Sequence, residues 1–341
     1  MNNNLQIGNL GENKLIKLIE DLILKKTGKV LLSDDSFFFS PKSRNLDDIL
    51  VLNSDMLVSS SDVPPLMNFY QTGKKSVIMN ISDLLVKGVQ PRGIVISLGL
   101  PKELKKAEFI DIINGIIDCS LKFDLGYIGG DINETKELII NPTVFGFENP
   151  SDVIFRKGIN IDDILVVNNK FGLTGVGFDI LLNRNGDLES FPDYKRSIMS
   201  VLEPDISGYE ALILSERKLA TSSIDSSDGL SKSLLDLIIS NPNLGFEIAF
   251  NDNLIDSEAI AYSQEFNLPL ENLIFNGGEE FIHLFTITER NFSKAKKEIQ
   301  TRGGKLFKVG NVISGEYIYV LKDNKRSELK SYGFEHFNKS A

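Results

Sequence analysis

The sequence predicts a protein of two domains, each built from both helices and strands. The chain has 341 residues, which exceeds the usual size of a single domain. Along it, apolar runs of strand length alternate with longer runs that have helical periodicity. Residues 148–152 combine Pro, Asn, Ser and two acids and make the best linker. We therefore place the domains at residues 1–150 and 151–341.

The first half of the chain predicts three helices and up to five strands. The strongest helix covers residues 103–123, where Phe109, Ile112 and Ile116 recur at three- and four-residue steps. Residues 59–65 are rich in residues that favour turns and predict a loop. Helices are also predicted at residues 12–26 and 84–88, and strands at residues 30–39 (interrupted by Asp34 and Asp35), 48–52, 75–79, 93–100 and 139–147.

The sequence of the second half also predicts both helices and strands. Glycines at residues 171–177 precede a helix and give a weak signal for phosphate binding. Helices are predicted at residues 178–182, 209–215, 231–239, 256–265 and 292–301. Strands are predicted at residues 164–167, 219–224, 245–250, 281–287, 305–313 and 317–321.

Composition narrows the choice of ligands. A formal net charge of −10 argues against nucleic acid, which needs a basic surface, but not against phosphorylated small molecules. Cys119, His283 and His336 are the only cysteine and histidines and make no credible zinc site. Any bound metal should be a hard cation with oxygen ligands, which points to Mg²⁺.

Three features lead us to expect a cytoplasmic protein without membrane contact. The single cysteine indicates a reducing compartment. Residues 1–10 are polar and lack the apolar core of a secretory signal. No apolar run approaches the roughly 20 residues that a membrane span needs.

Residues 224–230 contain two Asp and two Ser residues within four consecutive positions. Asp225, Ser227 and Asp228 lie between a predicted strand and a predicted helix. Ser and Asp cap helices, so a capped helix with a solvated second Asp is one interpretation. The other is a site where a metal ion and a phosphate meet at the helix N-terminus.

Further carboxylates favour the second interpretation. Like charges gathered at one rim of a sheet repel each other unless cations intervene. We expect six acids at strand ends to form such a rim and to hold several Mg²⁺ ions and a nucleotide. They are Asp35, Asp55, Asp83, Asp131, Asp225 and Asp228.

Six short segments follow one another along the chain, and they are Asn53-Ser54-Asp55, Asn80-Ile81-Ser82-Asp83-Leu84, Gly88-Val89-Gln90-Pro91, Gly129-Gly130-Asp131, residues 224–230 and Gly277-Gly278-Glu279. Taken in order, these segments resemble the thiamine-monophosphate kinase family of the aminoimidazole ribonucleotide synthetase-like superfamily. The resemblance covers nearly the whole chain and ends in the aromatic tail at residues 334–337.

The resemblance implies a two-domain α/β fold of the aminoimidazole ribonucleotide synthetase-like type. Its N-terminal domain would bind ATP and Mg²⁺ and pair its sheet with that of a second copy in a homodimer. Its C-terminal α/β domain would complete the phosphate and substrate site. The implied reaction transfers the γ-phosphoryl group of ATP to thiamine monophosphate and produces thiamine diphosphate and ADP.

The resemblance also implies roles for individual residues. The implied Mg²⁺ ligands are Asp35, Asn53, Ser54, Asp55, Asp83, Asp131, Asp225 and Asp228. The implied ATP contacts are Gly130, Asp131, Arg156 and Ser227, and the implied substrate contacts are Asp62, Glu279 and Phe334. No side chain is assigned as a general acid or base, because an acceptor phosphate is already ionised near neutral pH, and we expect both histidines to lie outside the acidic cluster.

The chain departs from the family pattern in four places. Leu31-Leu32-Ser33 replaces a glycine-rich approach to the acidic pair, and Asn53 stands where Ser or Thr is usual. Asp62 replaces a common His, and Glu280-Phe281-Ile282-His283 replaces Asp-Tyr-Glu. Two alternatives therefore stay open, which are a sister ATP-dependent enzyme of the superfamily and a nucleotide-binding scaffold without turnover.

Overall fold

The computed structural model describes residues 5–7, 10, 12–30 and 47–330. The predictions for Asp35 and Phe334 lie outside these residues. The chain divides into two compact units. Unit 1 comprises the residues up to Leu84 together with Val89–Pro150, and unit 2 comprises Leu85–Gly88 and the residues from Ser151 onwards.

Unit 1 is built on a five-stranded sheet. Its described strands are β1 (Ile49–Asn53), β2 (Leu57–Val58), β3 (Pro91–Leu100), β4 (Gly126–Glu134) and β5 (Ile139–Glu148). The order is β1-β5-β3-β4, with β2 paired to β5. Strands β3 and β4 run parallel, and the other pairs are antiparallel. The described helices are α1 (Glu12–Thr27), α2 (Ser59–Asp62), α3 (Phe69–Val86) and α4 (Lys106–Lys122).

Helices α3 and α4 are in close contact because each presents a glycine to the other. A Cβ on Gly115 of α4 would lie 2.0 Å from the backbone oxygen of Tyr70, and one on Gly73 of α3 would lie 2.2 Å from the backbone oxygen of Ile112. The apolar face of α4 predicted from its spacing is buried, and it includes Cys119. The helix predicted at residues 103–123 is thus confirmed.

The strand predicted at residues 75–79 is wrong, because these residues belong to the middle of α3. The helix is buried on several sides, with Val77, Ile78 and Ile81 all inaccessible to solvent. Burial on several sides hides the 3.6-residue period, and a short apolar run then looks like a strand. Asp83 consequently lies within a helix and not at the end of a strand.

Unit 2 is built on a seven-stranded sheet with the order β12-β11-β8-β10-β6-β9-β7. Its strands are β6 (Asp163–Val167), β7 (Ala220–Ser226), β8 (Leu244–Ala249), β9 (Ile282–Thr288), β10 (Phe307–Ser314), β11 (Ile318–Lys322) and β12 (Lys325–Glu328). Strands β8 and β11 are parallel, and the other pairs are antiparallel.

Unit 2 also contains helices, some of which pack on this sheet. They are α5 (Leu173–Phe178), α6 (Lys195–Leu202), α7 (Tyr209–Glu216), α8 (Leu230–Ser240), α9 (Ser257–Phe266), α10 (Leu270–Phe275) and α11 (Glu289–Thr301). The helix predicted at residues 178–182 begins earlier, at Leu173, and residues 179–183 continue it as a π-helix.

An apolar layer fixes the edge of the sheet that carries residues 225–228. Leu214 of α7 and Ile299 of α11 belong to one buried cluster with Val166 of β6 and Phe285 of β9. Strand β7 is the edge strand and pairs with β9. The position of β7 therefore depends on this cluster. In the part of the chain that the structure describes, no helix is long and apolar enough to cross a membrane.

Candidate functional site

Unit 1 brings three of the predicted metal-binding residues together. The Asn53 side-chain nitrogen donates hydrogen bonds to Asp55 Oδ2 (2.8 Å) and to Asp83 Oδ2 (2.9 Å). Asn53 is the last residue of β1, and Asp83 lies near the end of α3. One amide group therefore bridges two carboxylates that come from a strand end and from a helix.

Asn80 holds Asp55 in this position. The Asp55 backbone nitrogen donates to Asn80 Oδ1 (2.7 Å), and Asn80 Nδ2 donates to the Asp55 backbone oxygen (3.0 Å). Asn80 Nδ2 also donates to the backbone oxygen of Ser76 (3.0 Å), and the Asn80 side chain is fully buried. Asn80 precedes Asp83 by three residues, so the two residues lie on the same face of α3. This helix thus supplies one carboxylate and fastens the other.

Ser54 has a different set of partners. Its hydroxyl donates to the backbone oxygen of Pro142 (3.0 Å) and to Asn141 Oδ1 (3.3 Å), and it accepts from Thr143 Oγ1 (3.0 Å). The hydroxyl of Ser54 thus bonds to β5, whereas the Asn53 amide bonds to the carboxylates.

Gly130 and Asp131 lie inside β4, and not after a strand as expected. Asp131 is opposite Ser97 of β3 and is exposed. A Cβ on Gly130 would lie 1.9 Å from the backbone oxygen of Ile96, so this position needs a residue without a side chain. In the sheet order β5 and β3 stand between β4 and β1, which Asp55 follows.

Asp62, a predicted substrate contact, takes part in local structure. Its carboxylate accepts a hydrogen bond from the backbone nitrogen of Val58 (2.6 Å) at the start of α2. Its backbone oxygen accepts a hydrogen bond from the buried side chain of Lys75 (2.5 Å). These contacts fix α2 against α3, and the loop predicted at residues 59–65 is wrong for Ser59–Asp62, which form this short helix.

Unit 2 places Asp225 opposite His283. Both are buried, and they form a pair in the antiparallel ladder of β7 and β9. The expectation that both histidines lie outside the acidic cluster is therefore wrong for His283. Burial, with a smaller effect of the Lys87 charge, lowers the pKa of His283 to about 3. His283 is neutral near pH 7 and adds no charge beside Asp225.

Ser227 and Asp228 do not cap the helix that follows them. The N-cap position of α8 is Gly229, and no side chain donates or accepts a capping hydrogen bond there. Gly229 has φ +101°, and a Cβ on it would lie 3.0 Å from the backbone oxygen of Phe275. The interpretation of Ser227 as the cap of this helix is therefore wrong.

The turn at residues 277–281 packs against this segment. The backbone nitrogens of Glu279 and Phe281 donate to the backbone oxygens of Ser227 (2.5 Å) and Ser226 (2.9 Å). Glu279 and Phe281 have φ values of +59° and +48°, which are unusual for residues with side chains. Strained backbone of this kind gathers at functional sites. The structure thus brings Glu279 next to Ser227.

The carboxyl group of Glu280 binds to the backbone of the glycine-rich segment at residues 171–177, where a phosphate could have bound. Its Oε1 atom accepts hydrogen bonds from the backbone nitrogens of Gly172 (2.6 Å) and Thr174 (3.3 Å) at the start of α5. Burial raises the pKa of Glu280 to about 7. The weak phosphate signal at residues 171–177 is therefore explained by an internal carboxyl group.

Glu280 also lines a cleft of about 170 Å³ in unit 2. The cleft contains polar side chains from four separate stretches of the chain, which include Asn168, Ser207, Glu210 and Lys305. Sequence reasoning did not find it, since these residues share no motif.

The predicted single rim of six acids is wrong. Asp131 belongs to the sheet of unit 1 and Asp55 follows strand β1 of that sheet, whereas Asp83 belongs to a helix and Asp225 to the sheet of unit 2. In the described ranges no three His, Cys, Asp or Glu side chains form a group that could hold a metal ion. The Asn53, Asp55 and Asp83 side chains carry oxygen donors, and two carboxylates leave room for water and phosphate oxygens. This donor set fits Mg²⁺.

Comparisons with known proteins show which family the chain belongs to. Residues 33–147 match the family described as AIR synthase related protein, N-terminal domain. The thiamine-monophosphate kinase of Nitrosopumilus maritimus is 28% identical over 96% of this chain and 99% of its own. Those of Methanocaldococcus jannaschii and Pyrococcus horikoshii are 30% identical, over 79% and 89% of this chain and 83% and 90% of theirs.

Solved structures share the fold. The crystal structure of the thiamine-monophosphate kinase from Stenotrophomonas maltophilia has a TM-score of 0.78 at 21% identity and covers 90% of this chain and 95% of its own. AaThiL complexed with AMPPCP and TMP has a TM-score of 0.74 at 24% identity over 98% of this chain and 99% of its own. The expected aminoimidazole ribonucleotide synthetase-like fold is confirmed, and the chain belongs to the thiamine-monophosphate kinase family.

Proposed function

We propose that the chain transfers the γ-phosphoryl group of ATP to the phosphate of thiamine monophosphate, producing ADP and thiamine diphosphate. The observation that carries this proposal is the Asn53–Asp55–Asp83 group, whose donors suit Mg²⁺, in a chain of this family. The solved complex of AaThiL with AMPPCP and TMP supports the same pair of substrates.

The reaction needs two anions held in line and little covalent participation by the protein. The donor is an ATP phosphate and the acceptor is a phosphate that is ionised near neutral pH, since its second pKa is near 6. No general base is needed, and His283 is neutral and buried in a sheet. Mg²⁺ held by Asp55 and Asp83 would supply positive charge that offsets the negative charge of the phosphates.

The residues of the chain then position the two substrates. Asp55 and Asp83 would hold the metal in unit 1, with Asn53 between them and Ser54, Asp131 and Asp35 as further candidates. Asp225 and Asp228 would hold metal in unit 2. Arg156, Ser227 and Gly130 would contact ATP, and Asp62, Glu279 and Phe334 would contact the acceptor.

We propose residues 1–150 as the ATP- and Mg²⁺-binding domain and residues 151–341 as the domain that completes the phosphate and substrate site.

We also propose that the chain forms a homodimer through the sheet of unit 1. Leu50 and Leu52 of β1 are 54% and 58% exposed, and Met56 beyond them is 53% exposed. Such neighbouring apolar side chains are typical of a surface that is covered by a partner.

The kinase proposal is tested by incubating the chain with ATP, Mg²⁺ and thiamine monophosphate and measuring thiamine diphosphate. Product should form, and EDTA should abolish it while the far-ultraviolet circular dichroism spectrum stays unchanged. Asp83→Asn should lower kcat at least 100-fold, a typical loss for a group that stabilises transition-state charge. The matched control Asp152→Asn removes a partly exposed ion pair with Lys218 and changes an exposed hydrogen bond from Ser151, and it should keep full activity.

Two results would contradict the proposal. Tight ATP binding without product would indicate a scaffold, and ATP turnover with a different acceptor would indicate a sister enzyme. Full activity of Asp83→Asn would remove the Asn53–Asp55–Asp83 group from the mechanism.

A further inference from the structure

Residues 154–159, which we call the Arg156 segment, run alongside the edge strand β7. The backbone nitrogen of Ser223 donates to the backbone oxygen of Phe155 (3.0 Å), and the Ser223 hydroxyl donates to the backbone oxygen of Ile154 (2.9 Å). A Cβ on Gly158 would lie 2.4 Å from the backbone oxygen of Thr221. One side of the segment is thus fixed against the strand that carries Asp225.

Asn241 holds the other side of the Arg156 segment. Its Oδ1 atom accepts from the backbone nitrogens of Gly158 (2.9 Å) and Ile159 (3.2 Å). Its Nδ2 atom donates to the backbone oxygens of Arg156 (2.9 Å) and Leu237 (2.8 Å). The residue is 7% exposed. An amide has two donors and two acceptor positions, and Asn241 uses all four on backbone groups.

The position of Asn241 gives these contacts their importance. It is the C-cap residue of α8, the helix that begins directly after Asp228 and Gly229. The bond to Leu237 ties the amide to this helix, and the bonds to Arg156, Gly158 and Ile159 tie it to the Arg156 segment. One side chain therefore fixes the backbone of Arg156 relative to the helix that starts at the Asp228 turn.

The Arg156 side chain is much less constrained than its backbone. It is 48% exposed, and its Nη1 atom lies 4.0 Å from Asp236 Oδ2 of α8. Asp236 is held more closely by Lys232, at 2.5 Å. An exposed ion pair at the limit of contact is worth little, so the guanidinium can turn towards an anion at small energetic cost.

We infer that Asn241 is a positioning residue for the phosphates of ATP and acts through Arg156. This inference rests on the proposed function, which assigns Arg156 to the nucleotide. Loss of the Asn241 amide frees the Arg156 segment on the side of α8 while β7 still holds its other side. The guanidinium then samples more positions, and ATP binds less tightly.

The test is a double-mutant cycle with Asn241→Ala, Arg156→Ala and the double variant. ATP affinity is measured by calorimetry without the acceptor, and KM and kcat are measured in the full assay. Asn241→Ala should weaken ATP binding and raise KM for ATP about tenfold, with kcat and KM for thiamine monophosphate changed less than about threefold. In the Arg156→Ala background the same change should cost less than about twofold, because the residues act on ATP as one unit.

Two further variants separate positioning from loss of stability. Asn241→Asp keeps the acceptor for Gly158 and Ile159 and loses the donors to Arg156 and Leu237, and it should also raise KM for ATP. Ser197→Ala removes a buried hydrogen bond to Glu258 (2.7 Å) on other elements of unit 2. It should lower the melting temperature without changing KM for ATP.

The inference is overturned if Asn241→Ala weakens ATP binding equally in the wild-type and Arg156→Ala backgrounds, or if Arg156→Ala itself leaves ATP binding unchanged. In both cases the kinase proposal survives as long as the wild-type chain forms thiamine diphosphate. If the wild-type chain forms none, the kinase proposal fails, and calorimetry with ATP still decides the role of Asn241.

Discussion

Asn53 places two hydrogen-bond donors between two carboxylates, where a cation would otherwise be needed to offset their repulsion. At the residue scale, this side chain affects the proposed metal site with and without a bound ion. Its amide stabilises the arrangement of Asp55 and Asp83 when no metal is bound. The same side chain also offers an oxygen to a metal ion when one is present.

Asn53→Asp should therefore destabilise the metal-free chain. The change removes both donors and adds a third negative charge, at a cost of about 1–3 kcal/mol in the free energy of unfolding. Added Mg²⁺ should recover most of this loss. Urea unfolding in EDTA and in Mg²⁺ measures both effects, and equal stability of variant and wild type in EDTA would contradict the bridging role.

The carboxyl group of Glu280 makes the stability of the folded chain depend on pH. The folded chain keeps this carboxyl protonated up to a pH of about 7, whereas an unfolded glutamate ionises near 4.5. Between these values the unfolded state releases a proton that the folded state retains, so stability falls as pH rises and the loss is complete above about pH 7.

Glu280→Gln keeps an acceptor oxygen for Gly172 and cannot ionise. Its unfolding free energy relative to wild type should rise by about 3 kcal/mol between pH 4.5 and 8. Glu271→Gln is the control of opposite sign. Burial raises the pKa of Glu271, but the hydrogen bond and charge of Lys322 outweigh it and hold the pKa below its usual value. That variant should be less stable than wild type above pH 4.5, with a difference that shrinks only in more acidic solution.

The sequence predicted some site residues and missed the ones that support them, for a physical reason. Asp55, Asp83, Asp225 and Asp228 belong to short motifs that are visible in the chain. The supporting contacts of Asn80, Asn241 and Glu280 span 25, 85 and 108 residues. Contacts over such separations depend on the completed fold and leave no local pattern.

At the scale of elements, the α3–α4 pair determines where Asp83 lies. Gly115 lets the two helices approach so closely that a Cβ would lie 2.0 Å from backbone. Alanine is the better helix former by about 1 kcal/mol, but overpacking against a backbone costs more.

Gly115→Ala should therefore lower the free energy of unfolding by about 2 kcal/mol and weaken Mg²⁺ binding, since α3 carries Asp83 and Asn80. Asp111→Ala, at an exposed position of α4, is the control and should change neither the free energy of unfolding nor Mg²⁺ binding. Calorimetry with Mg²⁺ and urea unfolding check both expectations. A stabilised Gly115→Ala chain would show that the helices separate without cost.

Prediction of elements succeeded where periodicity was clear and failed where partners decide the structure. Helix α4 and strands β3 and β5 have patterns that match their burial. Strand β12 consists of exposed, mostly charged residues and forms by pairing with β11. Helix α10 has six residues, too few to show a period.

At the scale of the whole molecule, the order of motifs predicted the fold class and the family, and both are confirmed. The domain boundary already divided the acids between two units, but the elements that carry Asp83 and Asp131 were not predicted. The long buried helix that carries Asp83 resembled a strand, and Asp131 lies inside β4 and not after its end.

At the same scale, the exposed leucines of β1 lead us to predict a homodimer in solution. Light scattering should report twice the mass of one chain, and Leu52→Lys should shift the mass towards one chain, because a buried lysine without a partner is costly. Leu321→Lys, on a partly exposed residue of unit 2, is the control. A wild-type monomer at micromolar concentration would contradict the proposed homodimer.

Cys119 is the single cysteine of the chain and is buried in α4. A thiol introduced at a surface position would therefore react alone with a maleimide dye in the native protein. Lys157, exposed and next to Arg156, is a suitable place for such a label. The chain thus offers a background almost without reactive thiols, in which a single fluorophore can test in real time whether a nucleotide reaches the Arg156 segment.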